Sequence, residues 1–233
     1  KMAYRDGGKK TGRNVTTFDD DTTQAALRFL MRTDAELRFQ DAKIHSAVEY
    51  ALTSILKAQY PNGAWPQGYD DFPDPEKFPV KKASYPATWP RTWPGSGQYW
   101  FRYTFNDNAL ATTLDTLFEA EKIYRDPAPG NDFPNLAAQC RASAEKAGDF
   151  ILLAQMPDPQ PAWAQQYDFE MHPAWARKFE PASVTGGESQ GVLRTLLKLH
   201  RETGQRKYLE PIPRALEYLS RSRLPDGRLA RFY

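Results

Sequence analysis

The chain has 233 residues, and its 31 Lys and Arg residues against 29 Asp and Glu residues give a formal net charge of +2, which excludes a strongly basic nucleic-acid-binding protein as the first hypothesis. The sequence has no apolar run near the length of about 18 residues that a membrane span needs, and its single cysteine excludes an internal disulfide framework. We therefore expect one globular domain over residues 1–233, monomeric, with neither nucleic acid nor a membrane as partner.

Six segments carry apolar residues at the spacing of an amphipathic helix, and they come in three pairs. Asp107 ahead of the third segment and Pro134 at the start of the fourth are typical of helix N-termini. The pattern predicts three antiparallel helix hairpins, with helices over residues 21–33, 42–58, 108–124, 135–154, 188–202 and 207–222.

A related phrase follows the second helix of each pair, in which a proline and an Asp or Asn turn precede a short stretch of alternating aromatic residues. The three phrases cover residues 59–69, 155–167 and 223–233. Repeated helix hairpins build a ring or an open solenoid, and so few units are most compact as a ring. The predicted fold is therefore all-α, an (α/α)3 toroid or barrel of helix hairpins with short β segments and long aromatic loops.

Two long irregular stretches interrupt the helices at residues 70–105 and 157–185. The first carries Trp89, Trp93 and Trp100, and this aromatic density argues against disorder because such side chains bury large areas on a surface. Long loops inside a compact domain are usually functional. We expect the functional site where the two loops meet.

Asn106, Asp107 and Asn108 follow one another at the start of the third predicted helix. One such residue alone is explained equally well as an N-cap that accepts a free backbone N–H. Three in a row exceed the need of one cap and offer the hard oxygen ligands that Ca²⁺ prefers. Asp168, at the end of the second phrase, is either an ordinary exposed carboxylate or, in a ring of repeats, the partner that faces Asp107 and completes an open metal site.

Arg177 lies between aromatic residues in the second loop, where it either covers Trp175 or grips a carboxylate through two hydrogen bonds. Arg228 and Arg231 alternate toward the C-terminus and can point the same way. Tryptophan and tyrosine beside these arginines suggest a sugar-binding platform, although most tryptophans are core residues by default. The sequence has no nucleotide-binding glycine loop, no G-x-S-x-G and no metal-ligand spacing among its 3 histidines.

Several uncommon phrases, in the right order, resemble the motifs of the family 10 pectate lyases. The likeness runs from about residue 14 to residue 233 and rests on residues 15–23, 58–67, 104–109, 161–168 and 173–177. It implies an (α/α)3 toroid whose cleft binds polygalacturonate and cleaves it by Ca²⁺-assisted β-elimination into 4,5-unsaturated oligogalacturonides. It also implies a bacterial protein that is secreted or periplasmic.

The resemblance assigns roles to the residues that match its motifs. Asp107 and Asp168 correspond to metal-site carboxylates, with Asn108 beside them binding metal or substrate, and Asp107 is also placed in the catalytic set. The predicted substrate-binding residues are Asn108, Arg177, Trp163, Tyr167 and Trp65.

The base that this family is thought to use is an arginine, which has to lose its proton despite an ordinary pKa above about 12. In the resemblance that arginine lies just beyond the segment matching Arg231, Phe232 and Tyr233. We expect the chain to be a fragment, with this arginine in a C-terminal segment of the longer protein that follows Tyr233. The alternatives are that Arg231 or Arg228 takes the role, or that this chain has no base.

Two other functions compete with a pectate lyase. One is an inverting α/α-barrel glycoside hydrolase, which uses an acid and a base carboxyl group and no calcium. The other is a polysaccharide-binding repeat domain without catalysis.

Overall fold

The computed structural model describes residues 15–95, 97 and 99–233, together with the backbone of residues 5–6 and 9–10. Six α-helices form three consecutive hairpins, as the sequence predicts. They are α1 (Thr22–Glu36), α2 (Ala42–Lys57), α3 (Ala109–Tyr124), α4 (Pro134–Ala154), α5 (Gly186–Thr203) and α6 (Ile212–Arg221). None of the described helices is both long and apolar enough to cross a bilayer.

The helices lie in two rows. In the first row α3 contacts both α1 and α5, while α1 and α3 each pack against the second helix of their own hairpin. In the second row α2 contacts α4. This all-α arrangement of helix hairpins confirms the predicted fold class.

The predicted boundaries hold within a few residues except for the last helix. The sequence predicts this helix over residues 207–222, but the structure has a short 3₁₀ turn at Arg206–Leu209 and begins α6 at Ile212. Pro211 stands at the N-cap position of α6. A proline has no N–H to continue a preceding turn, so the chain restarts its helix there instead of extending it from the turn.

Among the described residues, short β strands form antiparallel pairs, two of which close the first and the second repeat. β1 (Arg5–Asp6) pairs with β2 (Lys9–Lys10), β3 (Thr16–Thr17) with β4 (Gly68–Tyr69), and β5 (Tyr103–Thr104) with β6 (Gln166–Tyr167), all antiparallel. Single bridges between Pro66 and Tyr103 and between Ala164 and Val184 connect one repeat to the next, and the bridge between Thr185 and Phe232 closes the third repeat.

The same backbone hydrogen bond recurs in all three repeats. Phe18 N donates to Gln67 O at 2.8 Å, Phe105 N to Gln165 O at 2.8 Å, and Gly186 N to Arg231 O at 3.2 Å. These bonds make Gln67, Gln165 and Arg231 equivalent positions. The internal repeat predicted from the three phrases is thus confirmed.

Each of the first two phrases also places a tryptophan in the core. Trp65 is 1% exposed and its Nε1 donates to Ile55 O, and Trp163 is 0% exposed and its Nε1 donates to Ile151 O, both at 2.9 Å. A buried indole N–H needs such a partner. The tryptophans therefore fasten each phrase to the helix that precedes it.

The two long loops meet, as predicted. Ser84 N donates to Met171 O at 3.1 Å, and Trp93 Nε1 donates to Ala176 O at 3.0 Å. Lys81 also pairs with Glu170 across the contact. Hydrogen bonds from one loop to the other hold the second loop beside the ends of the first two repeats.

A buried acid joins the first two hairpins. Asp34 of α1 is 0% exposed, and its Oδ2 contacts His45 Nδ1 of α2 and Tyr124 OH of α3, each at 2.8 Å. His45 Nε2 in turn contacts Asp132 Oδ1 at 2.8 Å, just before α4. Burial lowers the pKa of His45, but hydrogen bonds to Asp132 and Asp34 outweigh it and raise the pKa above its ordinary value.

This raised pKa makes stability depend on pH. The stabilisation by His45 is fully present below its unfolded pKa of about 6.5 and is lost as the pH rises through the higher folded value. We expect His45→Gln to lower the free energy of unfolding more at about pH 5.5 than at about pH 9, measured by urea denaturation. His200→Gln is the control, because His200 Nδ1 faces the Gln205 carbonyl at 3.1 Å rather than a carboxylate. An equal loss at both pH values for His45→Gln would contradict the prediction.

Candidate active site

Two turns of matching shape precede α1 and α3. Asp20 and Asp21 have φ angles of 50° and 59°, and Asp107 and Asn108 have φ angles of 49° and 55°. Left-handed backbone is costly for most residues, but Asp and Asn tolerate it. Strained turns of this kind persist where the surrounding structure fixes them, and they cluster at functional sites.

The second turn does not cap its helix with the residue that the sequence suggests. Asn108, not Asp107, is the N-cap of α3, and its side chain makes no cap hydrogen bond. Asp107 Oδ2 instead accepts from Asn106 Nδ2 at 2.6 Å and from Gln67 Nε2 at 3.3 Å. The Asp107 carboxylate therefore faces the first repeat, and the simple capping explanation for it is wrong.

Three carboxylates converge where the two turns meet. Asp19, Asp20 and Asp107 each present an oxygen within 4.8 Å of the other two. Gln67 Nε2 lies between them and also donates to Asp19 Oδ1 at 2.7 Å. Carboxylate oxygens in this number are the donor set that a hard divalent cation such as Ca²⁺ takes.

The acids repel one another. The pKa of Asp107 is raised to about 6, first by burial, then by the hydrogen bond and charge of Asp19 and the charge of Asp20, while Arg177 acts in the opposite direction. The cluster therefore holds negative charge that nearby protein groups do not fully offset, and a bound cation would relieve the repulsion.

Arg177 reaches this cluster from the second loop and is itself held by a buried acid. Glu180 is 1% exposed, and its Oε2 accepts from Arg177 Nε at 2.8 Å while its Oε1 accepts from Arg177 Nη2 at 2.5 Å. This pair raises the pKa of Arg177 above its ordinary value, chiefly through the hydrogen bond to Glu180. Arg177 is therefore a permanent cation near Asp107.

Asp168 does not join the three carboxylates. The antiparallel register pairs Tyr103 with Tyr167, so Asp168 follows one end of the β5–β6 pair while Asp107 follows the other. Asp168 Oδ1 accepts the backbone N–H groups of Glu170 and His172, both at 2.9 Å. The expected coordination sphere of Asp107 and Asp168 is thus not what the structure assembles, and Asp19 and Asp20 stand beside Asp107 instead.

Three of the predicted substrate-binding residues have almost no exposed surface. Trp65, Trp163 and Tyr167 are 1%, 0% and 0% exposed. Tyr167 OH donates to Ala154 O at 2.6 Å, which fastens the second phrase to the end of α4. These aromatic residues are core groups that support the site from behind.

The remaining predicted residues have different surroundings. Asn108 is exposed beside α5, where a Cβ added at Gly191 would lie 3.3 Å from its Oδ1. Arg228 lies in an exposed turn and donates from Nε to Asp226 Oδ2 at 2.7 Å, so a local carboxylate already holds the group predicted as a base. Arg231 Nη2 lies 3.5 Å from Glu180 Oε1, which places its guanidinium beside that of Arg177.

Sequence reasoning missed Asp19, Asp20, Gln67 and Glu180. The signal for Asp19 and Asp20 was in the repeat, because residues 17–21 align with residues 104–108 and both segments begin at the same strand position. Gln67 matches Gln165 of the second phrase. Because the two turns occupy equivalent positions in the repeat, an acid or amide that is a site candidate in one turn makes the aligned residue of the other turn a candidate too. Glu180 had no repeat partner to reveal it.

Solved structures similar to the chain share this helix-hairpin fold. The family 10 polysaccharide lyase from Cellvibrio cellulosa is 25% identical, with a TM-score of 0.64 over 91% of this chain and 58% of that chain. An aspartate-to-alanine mutant of the family 10 polysaccharide lyase from Cellvibrio cellulosa, in complex with trigalacturonic acid, is 24% identical, with a TM-score of 0.63 over 88% of this chain and 56% of that chain. A family 105 glycoside hydrolase of C. acetobutylicum has 14% identity and a TM-score of 0.50 over 91% of this chain and 51% of that chain, and shares the fold alone.

These matches define a fold of carbohydrate-active proteins. The family model described as pectic acid lyase matches residues 2–205, and the chain belongs to that family. No curated protein matches the chain. The chain spans 58% and 56% of the lengths of the two Cellvibrio structures.

The electrostatic origin of the Asp107 pKa is testable. Asp19→Asn removes a neighbouring negative charge, so we expect the pKa of Asp107 to fall from about 6 by about one unit. Carboxylate ¹³C NMR titration measures the change. Asp115→Asn, which removes an acid paired with Lys198, is the matched control and should leave Asp107 unchanged. A pKa of Asp107 that stays near 6 in Asp19→Asn would contradict the contribution of Asp19.

Proposed function

We propose that the protein is a pectate lyase that cleaves polygalacturonate by cation-assisted β-elimination. The observation that carries this proposal is the meeting of Asp19, Asp20 and Asp107 beside the fixed cation Arg177. Membership of the pectic acid lyase family supports it, as does the trigalacturonic acid bound to the mutant Cellvibrio lyase. A site with both charge signs suits a substrate whose every sugar carries a carboxylate.

The donor chemistry of the cluster fits Ca²⁺. Asp19, Asp20 and Asp107 would hold the ion with carboxylate oxygens, and the raised pKa of Asp107 reflects burial first and then the charges of Asp19 and Asp20, whose repulsion a cation would relieve. When bound, Ca²⁺ would neutralise part of the charge of a uronate carboxylate and so make the proton on the adjacent C5 more acidic. We keep Asn108 as a proposed contact to metal or substrate at the rim.

The chain's own residues would bind and orient the sugar. Arg177 offers hydrogen bonds to a uronate carboxylate and lowers its charge, which favours loss of the C5 proton. The electron pair of the C5–H bond forms the C4–C5 double bond, and the C4–O bond breaks with its electrons going to the departing saccharide oxygen. A base takes the C5 proton, and the departing oxygen takes up a proton in turn. Arg231 lies 3.5 Å from the Glu180 carboxylate, so we propose it as a cationic contact to the uronate rather than as that base.

The reaction has a direct optical test. Mixing the protein with polygalacturonate and Ca²⁺ should raise ultraviolet absorbance as the C4–C5 double bond forms, and a chelator should abolish the rise. Asp107→Asn should lose most activity while keeping the fold, with Asp115→Asn as the control that stays active. New reducing ends without absorbance would indicate an inverting hydrolase, and binding without turnover would indicate a non-catalytic domain.

The cation site can be tested apart from catalysis. We expect Asp20→Asn to weaken Ca²⁺ binding by about tenfold in calorimetry, because the variant removes one of three converging carboxylates. Asp168→Asn serves as the comparison, since its carboxylate accepts local backbone N–H groups instead. The reverse result, with Asp168→Asn the damaging change, would restore the ligand set expected from the sequence.

Polygalacturonate is a large external polymer, and we propose that the protein acts outside the cytoplasm, secreted or periplasmic. A single-domain monomer likewise stays our prediction for the oligomeric state. Gel filtration with light scattering measures it.

A further inference from the structure

Glu180 is the most deeply buried acid of the second loop. Its side chain is 1% exposed, and a buried carboxylate without partners would be strongly destabilising. Burial raises the pKa of Glu180, but the hydrogen bonds and charge of Arg177 outweigh it and lower the pKa below its ordinary value. Glu180 is therefore a fixed negative charge.

Arg177 meets this charge with one edge of its guanidinium. Nε and Nη2 bind the two carboxylate oxygens, and the Arg177 backbone N–H also donates to Oε2 at 3.1 Å. This bidentate pair fixes the plane of the guanidinium. The opposite edge, Nη1 with Nη2, belongs to a side chain that is 46% exposed, so it faces outward with free donor capacity.

Arg231 comes to the same acid from the third repeat. Its Nη2 lies 3.5 Å from Glu180 Oε1, although its side chain is 61% exposed. Both guanidinium groups also lie beside one aromatic ring: Cζ of Arg177 is 4.8 Å and Cζ of Arg231 is 5.7 Å from the centre of Phe179. Guanidinium groups are stabilised at such a ring. Glu180 and Phe179 together bring two cations from distant parts of the chain to one place.

This pair of cations lies next to the acidic cluster. Arg177 acts electrostatically on Asp107. Arg231 occupies the strand position of Gln67, whose amide reaches Asp19 of its own repeat and Asp107 of the next repeat. Arg177 therefore lies near the acidic cluster, and Glu180 brings Arg231 to Arg177.

We propose that Glu180 is a positioning residue: it holds Arg177 and Arg231 as a guanidinium pair that binds the carboxylates of an acidic oligosaccharide beside Asp19, Asp20 and Asp107. The identity of the sugar, a uronate, rests on the proposed function. Glu180 itself stays behind the two arginines and touches no substrate. Its effect is to select an acidic sugar over a neutral one.

The first experiment measures selectivity for charge. Trigalacturonate and its fully methyl-esterified form are titrated into the full chain and into Glu180→Gln by calorimetry. We expect the wild type to prefer the acid, and Glu180→Gln to lose about tenfold in affinity for the acid while affinity for the ester stays unchanged. A purely structural role of Glu180 would weaken both ligands equally and would overturn the proposal, as would a wild type without preference for the acid.

Glu170→Gln is the matched control. It makes the same change in the same loop at an exposed acid that pairs with Lys81, and it should leave both affinities unchanged. The conservative variant Glu180→Asp should retain part of the preference because it keeps the charge. A Glu180→Asp variant as damaged as Glu180→Gln would mean that side-chain packing, not charge, is what matters.

A second measurement starts from a variant that leaves Glu180 in place. Arg177→Lys keeps the cation and leaves a partner for Glu180 but removes the two-pronged contact. We expect its preference for the acid to fall by about tenfold, and Arg177→Lys combined with Glu180→Gln to be no worse than Glu180→Gln alone, because Glu180 acts through the arginines. Additive losses in the double variant would overturn the proposal.

These binding results separate the inference from the proposed function. A wild type that prefers the acid but releases no unsaturated product would contradict the lyase and leave the guanidinium pair standing. A lyase whose preference for the acid survives Glu180→Gln would keep its function and refute the positioning role.

Discussion

One backbone hydrogen bond, made three times, organises the molecule. It ties the chain at or just before each first helix to the phrase that ends the same repeat: Phe18 to Gln67, Phe105 to Gln165, and Gly186 to Arg231. Because each of the first two phrases also bridges to the next repeat, the hairpins are held in sequence at one end. The groups of the candidate site lie on or near this ladder of three hydrogen bonds, so the geometry of the ladder fixes the positions of those groups.

The ladder also explains how the protein tolerates concentrated charge. The turns that carry Asp20 and Asp107 have left-handed backbone, and their acids repel. Such turns are maintained only where the surroundings dictate them. Buried Trp65 and Trp163, each with its indole N–H satisfied by the preceding helix, supply that rigid support. Each of the first two repeated phrases thus contributes a buried tryptophan to the core and supports the charged turns of the site.

The helices and the repeat could be predicted because they depend on local periodicity and on phrases that recur. The predicted start of α6 was too early, because the apolar spacing continues across the 3₁₀ turn at Arg206–Leu209 that precedes the helix. Of the residues that the sequence singled out for the site, Arg177 acts electrostatically on Asp107 in the structure.

The rest of the site depends on information that a linear sequence carries weakly. Asp168 was predicted to face Asp107 because each follows a segment of the repeat. The antiparallel pairing of Tyr103 with Tyr167 instead places the two acids at opposite ends of the strand pair. Aromatic composition alone does not tell a core tryptophan from a sugar-binding one, and Trp163 belongs to the core. Arg231 and Glu180 are brought together only by the third repeat folding back on the second loop.

The equivalence of Gln67, Gln165 and Arg231 has a consequence for any polymer that lies along this edge. Gln67 and Gln165 are buried, whereas the Arg231 side chain is 61% exposed, so only the third repeat presents a charge at this position and the edge has a direction although the backbone nearly lacks one. A polysaccharide has chemically different ends and can lie on such an edge in two ways. The charge of Arg231 makes those two orientations unequal in energy. A nearly symmetric scaffold can therefore distinguish the two directions of a polysaccharide through this one side chain.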